Sequence, residues 1–117
     1  AAALAELART VPDRPRFLVG YSFGAGVALG VDDAAATVVV APPLAMMPVP
    51  RPPTMPTLVL VPALDQYSPP AVIAPLVAGW PAVTVDTIAG ADHFLVGHTV
   101  AVADRATQWL TAQALAP

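Results

Sequence analysis

The sequence predicts a three-layer α/β/α protein with a mainly parallel sheet of about four strands. Three observations carry that prediction. Four short apolar runs, Phe17-Leu18-Val19 and residues 37–41, 57–61 and 83–88, have strand length and are bounded by turn-forming residues. Helix-compatible segments flank them, and continuous apolar strands alternating with helices belong to a parallel sheet covered on both faces. Finally, the chain of 117 residues is 56% hydrophobic and only 11% charged, with a mean hydropathy of +0.67. So few charges cover little surface. The balance argues against disorder and for a heavily buried sheet, or an apolar face hidden by a partner.

Taken in order, residues 1–9 are rich in Ala, Leu, Glu and Arg, which favour helix. Pro12 and Pro15 end it, because proline lacks the N–H and clashes with the preceding turn. Phe17-Leu18-Val19 is the first buried strand. After a turn at Ser22, residues 25–29 suit a helix, which Asp32-Asp33 breaks with an expected turn. The β-branched strand 37–41 stops at Pro42-Pro43, and the proline-rich stretch 44–56 reads as loop with one short helical turn. Residues 57–61, "TLVLV", are the third strand. Residues 70–78 form a short helix with Pro70 in the first turn, where proline is tolerated. Residues 83–88 are the fourth strand, with Asp86 at an edge. Residues 97–115 close the chain as a helix, with Val102, Ala106, Trp109 and Gln113 along one stripe and Val100, Ala103 and Leu110 beside it.

One domain over residues 1–117 is expected, without internal repeat or cap domain. Only Pro42 to Pro56 separate the second and third strands, too short a span for a helical lid. No apolar run reaches membrane-spanning length, so the protein is expected to be soluble and cytoplasmic. The net charge of −3 offers no basic patch for nucleic acid. The absence of cysteine excludes disulfides and thiolate zinc sites. Two histidines and scattered aspartates show no metal-ligand spacing, so neither metal nor cofactor is expected. The chain opens without Met or a basic n-region, and is read as processed or as a piece of something longer.

The chemistry centres on Gly20-Tyr21-Ser22-Phe23-Gly24, where a strand becomes a helix. A serine on such a turn takes a strained backbone that lifts its hydroxyl clear of the sheet. Flanking glycines remove side chains that would collide with strand and helix. The helix that follows aims N–H groups and a positive dipole end at the site, so the Phe23 N–H is a candidate oxyanion donor. The plain alternative is a glycine-rich packing turn. An activated serine needs an imidazole base, and the imidazole a carboxylate. Asp65 lies just beyond "TLVLV", and His93 just beyond the fourth strand, both where ligands bind in open α/β sheets. Asp65 could instead initiate the turn before Pro69-Pro70, and His93 could be a surface-loop histidine. His98 is a rival base, although it opens the last helix. Asp92 is a rival acid, although a neighbour in sequence seldom reaches Nδ1.

The segments "GYSFGAGVA", "LVLVPALDQYSPP" and "GADHFLVG" resemble the α/β-hydrolase superfamily, especially small bacterial hydrolases near the dienelactone-hydrolase and esterase groups. "DHF" is also similar to the base loop of type II thioesterases. The resemblance spans nearly the whole chain but only the second half of the superfamily's fold. It implies Ser22 as nucleophile, Asp65 as acid and His93 as base, in the superfamily's chain order. It further implies a carboxylic ester or thioester as the small-molecule substrate, with Tyr21, Met46, Tyr67 and Phe94 around it. Met47 is a further candidate for the apolar wall. Pro62 stands where a glycine often precedes the acid. The early strands, and with them the loop that supplies the second oxyanion donor, are absent.

On that resemblance the strand 17–19 belongs in the middle of a sheet, and here it becomes an apolar edge. A second chain, or a missing N-terminal segment, is expected to cover it. Two other functional classes stay open at this point. One is a non-catalytic half-fold that associates through the edge, and the other is a binding module that keeps the pocket without turnover.

Overall fold

The computed structural model describes residues 2–116; Ala1, included in the first predicted helix, lies outside them. The described residues form, in order, α1 (Ala2–Thr10), β1 (Phe17–Tyr21), α2 (Phe23–Ala28), β2 (Ala36–Val40), β3 (Thr57–Pro62), α3 (Pro70–Val77), β4 (Val83–Ile88) and α4 (Thr99–Leu115), with a loop and no helix between β2 and β3. The four strands form one all-parallel sheet in the order β1-β2-β3-β4. Every strand therefore ends on the same side of the molecule.

The apolar runs explain the layering. In β2 and β3 every residue is buried, as strands covered on both faces require. Side chains alternate along a strand, so each run feeds two cores. Val38, Val40, Leu58 and Leu60 pack with Ala106 and Trp109 of α4 on one face. Val39, Val59 and Val61 pack with Ala25 and Ala28 of α2 and Ile73 and Val77 of α3 on the other. The outer strands lack a second neighbour and are only partly covered.

Several predicted details change. Strand β1 runs on through Gly20 and Tyr21, because it stays in register with Val39 and Val40 of β2. Helix α2 begins at Phe23, not Ala25. Residues 32–34 form no turn, and in the proline-rich stretch a single hydrogen-bonded turn forms at Leu44-Ala45, closed by the Met46 N–H on the Pro43 carbonyl at 3.0 Å. Helix α4 starts at Thr99 because Gly97 has φ +79 and His98 φ −126. Along it, Ala106 and Trp109 are buried as the stripe requires, whereas Val100 and Ala103 face solvent. At about 100° per residue, those two fall on the flank that turns away from the sheet.

Candidate active site

All three non-glycine residues with positive φ among the described residues stand at the carboxyl end of the sheet: Ser22, Ala41 and Leu95. Clustered backbone strain of this kind marks functional ends of a fold, at about 1–3 kcal/mol each. Ser22 has φ 55 and ψ −121. Its N–H bonds to Val40 O at 2.9 Å, as a strand residue would, while its carbonyl accepts the N–H of Ala25 at 2.9 Å as a helix start. The residue belongs to both elements, and the sharp turn is the result.

The two glycines around it differ. A Cβ on Gly20 would run into the Gly24 carbonyl and stand 2.9 Å from the Ala25 Cα, so only glycine fits. A Cβ on Gly24 meets nothing within 4 Å, so the expected collision there does not exist. The motif is sterically demanded in its first half only.

Three loops bring the predicted residues together. Ser22 Oγ lies 2.7 Å from His93 Nε2, and His93 Nδ1 lies 2.8 Å from Asp65 Oδ2. Asp65 is 4% exposed and His93 6%, so neither contact competes strongly with water. The other Asp65 oxygen accepts the N–H groups of Tyr67 and Ser68, each at 2.8 Å. The turn-forming role and the partnership with His93 thus coexist in one side chain. A carboxylate can only accept, so in a neutral His93 the 2.8 Å contact with Asp65 assigns the ring proton to Nδ1. Nε2 is then left as an acceptor facing the Ser22 hydroxyl.

The rivals fall elsewhere. Asp92 accepts from Gln66 Nε2 at 3.2 Å and from the Phe94 N–H at 3.0 Å. His98 is the N-cap of α4, with its ring against Gly90. Asp86 is held by Arg105 at 2.7 Å, and that guanidinium hydrogen bond keeps its carboxyl below the usual range.

A cleft of about 310 Å³ opens in front of Ser22 and His93, walled by Phe23, Pro43, Met46, Tyr67 and Phe94. Tyr67 and Phe94 set their edges against the imidazole, with ring centroids 4.7 and 5.4 Å away. Met46, Tyr67 and Phe94 thus line the cleft beside Ser22 and His93. Tyr21 does not line the cleft: its hydroxyl donates to the His93 carbonyl at 2.6 Å. Burial, and secondarily the charges of Asp65 and Asp92, raise its phenol above the ordinary range, which keeps it a donor. Met47 lines a neighbouring groove of about 430 Å³ that shares Phe23, Pro43 and Met46 with the cleft. Sequence reasoning missed Pro43, Ser68 and Gln66. Ser68 Oγ accepts the Ala45 N–H at 3.1 Å and anchors the Pro43–Met46 wall to the loop that carries Asp65. No local pattern announces that contact, which spans 23 residues.

The Phe23 N–H opens α2, where helix geometry provides no intrahelical acceptor. Among the described residues no group of three or more His, Cys, Asp or Glu could hold a metal, and no helix is long and apolar enough to cross a membrane.

No family model matches the chain, and no curated protein does. Solved structures do. The chain is similar to an alpha-beta serine hydrolase homologue from Coxiella burnetii, at 24% identity and TM-score 0.73, over 86% of this chain and 51% of that one. It is similar to XC6422 from Xanthomonas campestris, a member of the α/β serine hydrolases without lid, at 20% identity and TM-score 0.82, over 99% and 56%. A third is ATU1826 from Agrobacterium tumefaciens, a protein of unknown function, at 21% identity and TM-score 0.81, over 93% and 56%. The fold is α/β-hydrolase-like, and the chain spans about half the length of the structures it matches.

Proposed function

We propose that the chain carries the catalytic centre of a serine hydrolase acting on a carboxylic ester or thioester. The observation that carries this reading is the unbroken relay from Ser22 Oγ through both His93 nitrogens to Asp65, at 2.7 and 2.8 Å. Ser22 Oγ attacks the carbonyl carbon while its proton passes to His93 Nε2. Asp65 stabilises the imidazolium and does not itself take the proton. The Phe23 N–H bonds the oxyanion of the tetrahedral intermediate. As the intermediate collapses, the bond to the alcohol or thiol breaks and His93 returns the proton to that leaving group. Water then attacks the acyl-Ser22 carbonyl, giving its proton to Nε2, and the acid departs as Ser22 recovers its hydrogen. The cleft bears no acidic, lysine or arginine side chain, which suits uncharged apolar groups on either side of the scissile bond.

A fluorophosphonate probe tests the reading. Ser22 is expected to be labelled, and Ser22→Ala to lose labelling and at least 10³-fold in ester turnover, the scale of a lost triad member. Equal labelling of Ser22→Ala would sink the mechanism.

One observation favours a second reading, in which the chain is a half-fold that associates through β1. That strand is an unpaired edge with Val19 55% exposed, and the matched structures are about twice as long as this chain. Further polypeptide, or a second copy, would cover this edge. The two readings are compatible, since the covering segment would also bring the second oxyanion donor.

A further inference from the structure

Gln66 follows Asp65 directly and plays no part in the proton relay, yet it holds the loop that carries the base. Its Oε1 accepts the His93 backbone N–H at 3.0 Å, and its Nε2 donates to Asp92 Oδ2 at 3.2 Å. One amide thus bridges the acid loop to the base loop and uses both of its ends. An amide accepts from an N–H only at its oxygen and donates to a carboxylate only at its nitrogen. The two partners therefore dictate which way the group faces. Asp92 is itself fixed, because its other oxygen accepts the Phe94 N–H. The segment needs such a brace, since it turns through Leu95 at φ 61 and Gly97 at φ +79 before α4 begins.

We propose that Gln66 is a positioning residue. It sets the separation of the two loops so that Nδ1 meets Asp65 and Nε2 meets Ser22 at the same time. The proposal rests on the hydrolase reading only for its effect on rate. Its geometric content concerns His93 alone.

The test compares the unaltered chain with Gln66→Ala, Gln66→Glu, and Gln66→Glu combined with Asp92→Asn. The last pair rebuilds both bonds, with donor and acceptor exchanged only between positions 66 and 92: the carboxylate accepts from the His93 N–H, as the amide oxygen did, and from the new amide. Three quantities are read in each: hydrogen exchange of the His93 backbone amide by NMR, the rate of fluorophosphonate labelling, and the thermal midpoint. In Gln66→Ala the His93 amide is expected to exchange about tenfold faster and labelling to slow roughly five- to tenfold, the range of one hydrogen bond. The thermal midpoint should stay within about 2 °C, as for a surface contact. Gln66→Glu should be at least as impaired, because its carboxylate opposes Asp92. The paired variant should return to within about twofold of the unaltered chain.

Unchanged His93 exchange and labelling in Gln66→Ala would overturn the proposal. So would a loss that merely tracks the thermal midpoint, or a paired variant no better than Gln66→Glu. If the unaltered chain is not labelled at Ser22, the hydrolase reading fails, and His93 exchange still decides the role of Gln66.

Discussion

The two edges of the sheet are built differently. Strand β4 ends the sheet with polar groups around one exposed valine: Thr84 and Thr87 face water beside Val85, and Asp86 is tied to Arg105 of α4 at 2.7 Å. Charged and polar side chains on an edge discourage another strand from pairing with it. Strand β1 presents Val19 and Tyr21, 55% and 44% exposed, and its five residues carry no charge. Its composition is that of an interior strand. The proposed nucleophile hangs from this unprotected edge, whereas Asp65 and His93 follow β3 and β4 on the finished side. The site spans the sheet, and the serine's end of it hangs from the less protected strand.

Substitutions at the turn after β1 should change stability most. Gly20→Ala forces a methyl into the backbone of Gly24 and Ala25. It is expected to cost about 3 kcal/mol, the upper part of the overpacking range. Gly24→Ala, in open space on the first turn of α2, is expected to be neutral or to gain up to ~1 kcal/mol from helix propensity. Urea unfolding of both variants checks the contrast, and equal losses would show that the two glycines do the same work.

The edge itself comes next. If β1 seeks a partner, the chain should self-associate as concentration rises, and Val19→Lys should reduce this by about tenfold in apparent association constant, or roughly 1.4 kcal/mol. Sedimentation velocity measures it. A monodisperse 11.9 kDa monomer, unaffected by the lysine, would remove the difference between the edges.

The smallest effect belongs to β4. Its partner holds the Asp86 carboxyl below the ordinary range, chiefly by the Arg105 hydrogen bond. A depressed folded-state value means that the pair stabilises the chain above the unfolded carboxylate value, about pH 4. That contribution is lost as pH falls through the lower folded-state value. Both side chains are partly exposed, so Asp86→Asn should cost only about 0.5 kcal/mol at pH 7 and less as pH falls toward about 2. Thermal melts at the two pH values show whether the pair matters to the fold or only to the edge.

The legible parts of the fold were those whose physics is local. Central strands buried on both faces must be continuous apolar runs, and residues 37–41 and 57–61 could be read as such from the sequence alone. Element ends were less legible. Strand β1 gained Gly20 and Tyr21 through pairing with β2, and α4 lost Gly97 and His98 to their own backbone angles. Within the site, Ser22, Asp65 and His93 could be picked out because each stands at a strand's carboxyl end. Tyr21 could not be placed correctly. Alternation puts it on the same side of β1 as Val19, away from the cleft, and only the folded loop lets its hydroxyl reach the His93 carbonyl.

By itself, then, the sequence determined the alternation of strands and helices, the two-faced burial of β2 and β3, and which serine, aspartate and histidine stand at strand ends. Those follow from periodicity and turn chemistry within a few residues. Only the tertiary structure decided that Asp65 and His93 meet at 2.8 Å, that Gln66 and Tyr21 hydrogen-bond to the His93 backbone, and that Gly20 but not Gly24 is sterically obligatory. The loop contacts among these join residues 27 to 72 positions apart. The parallel sheet alone brings them to one side, because every crossover returns the chain so that each strand ends at the same edge of the molecule.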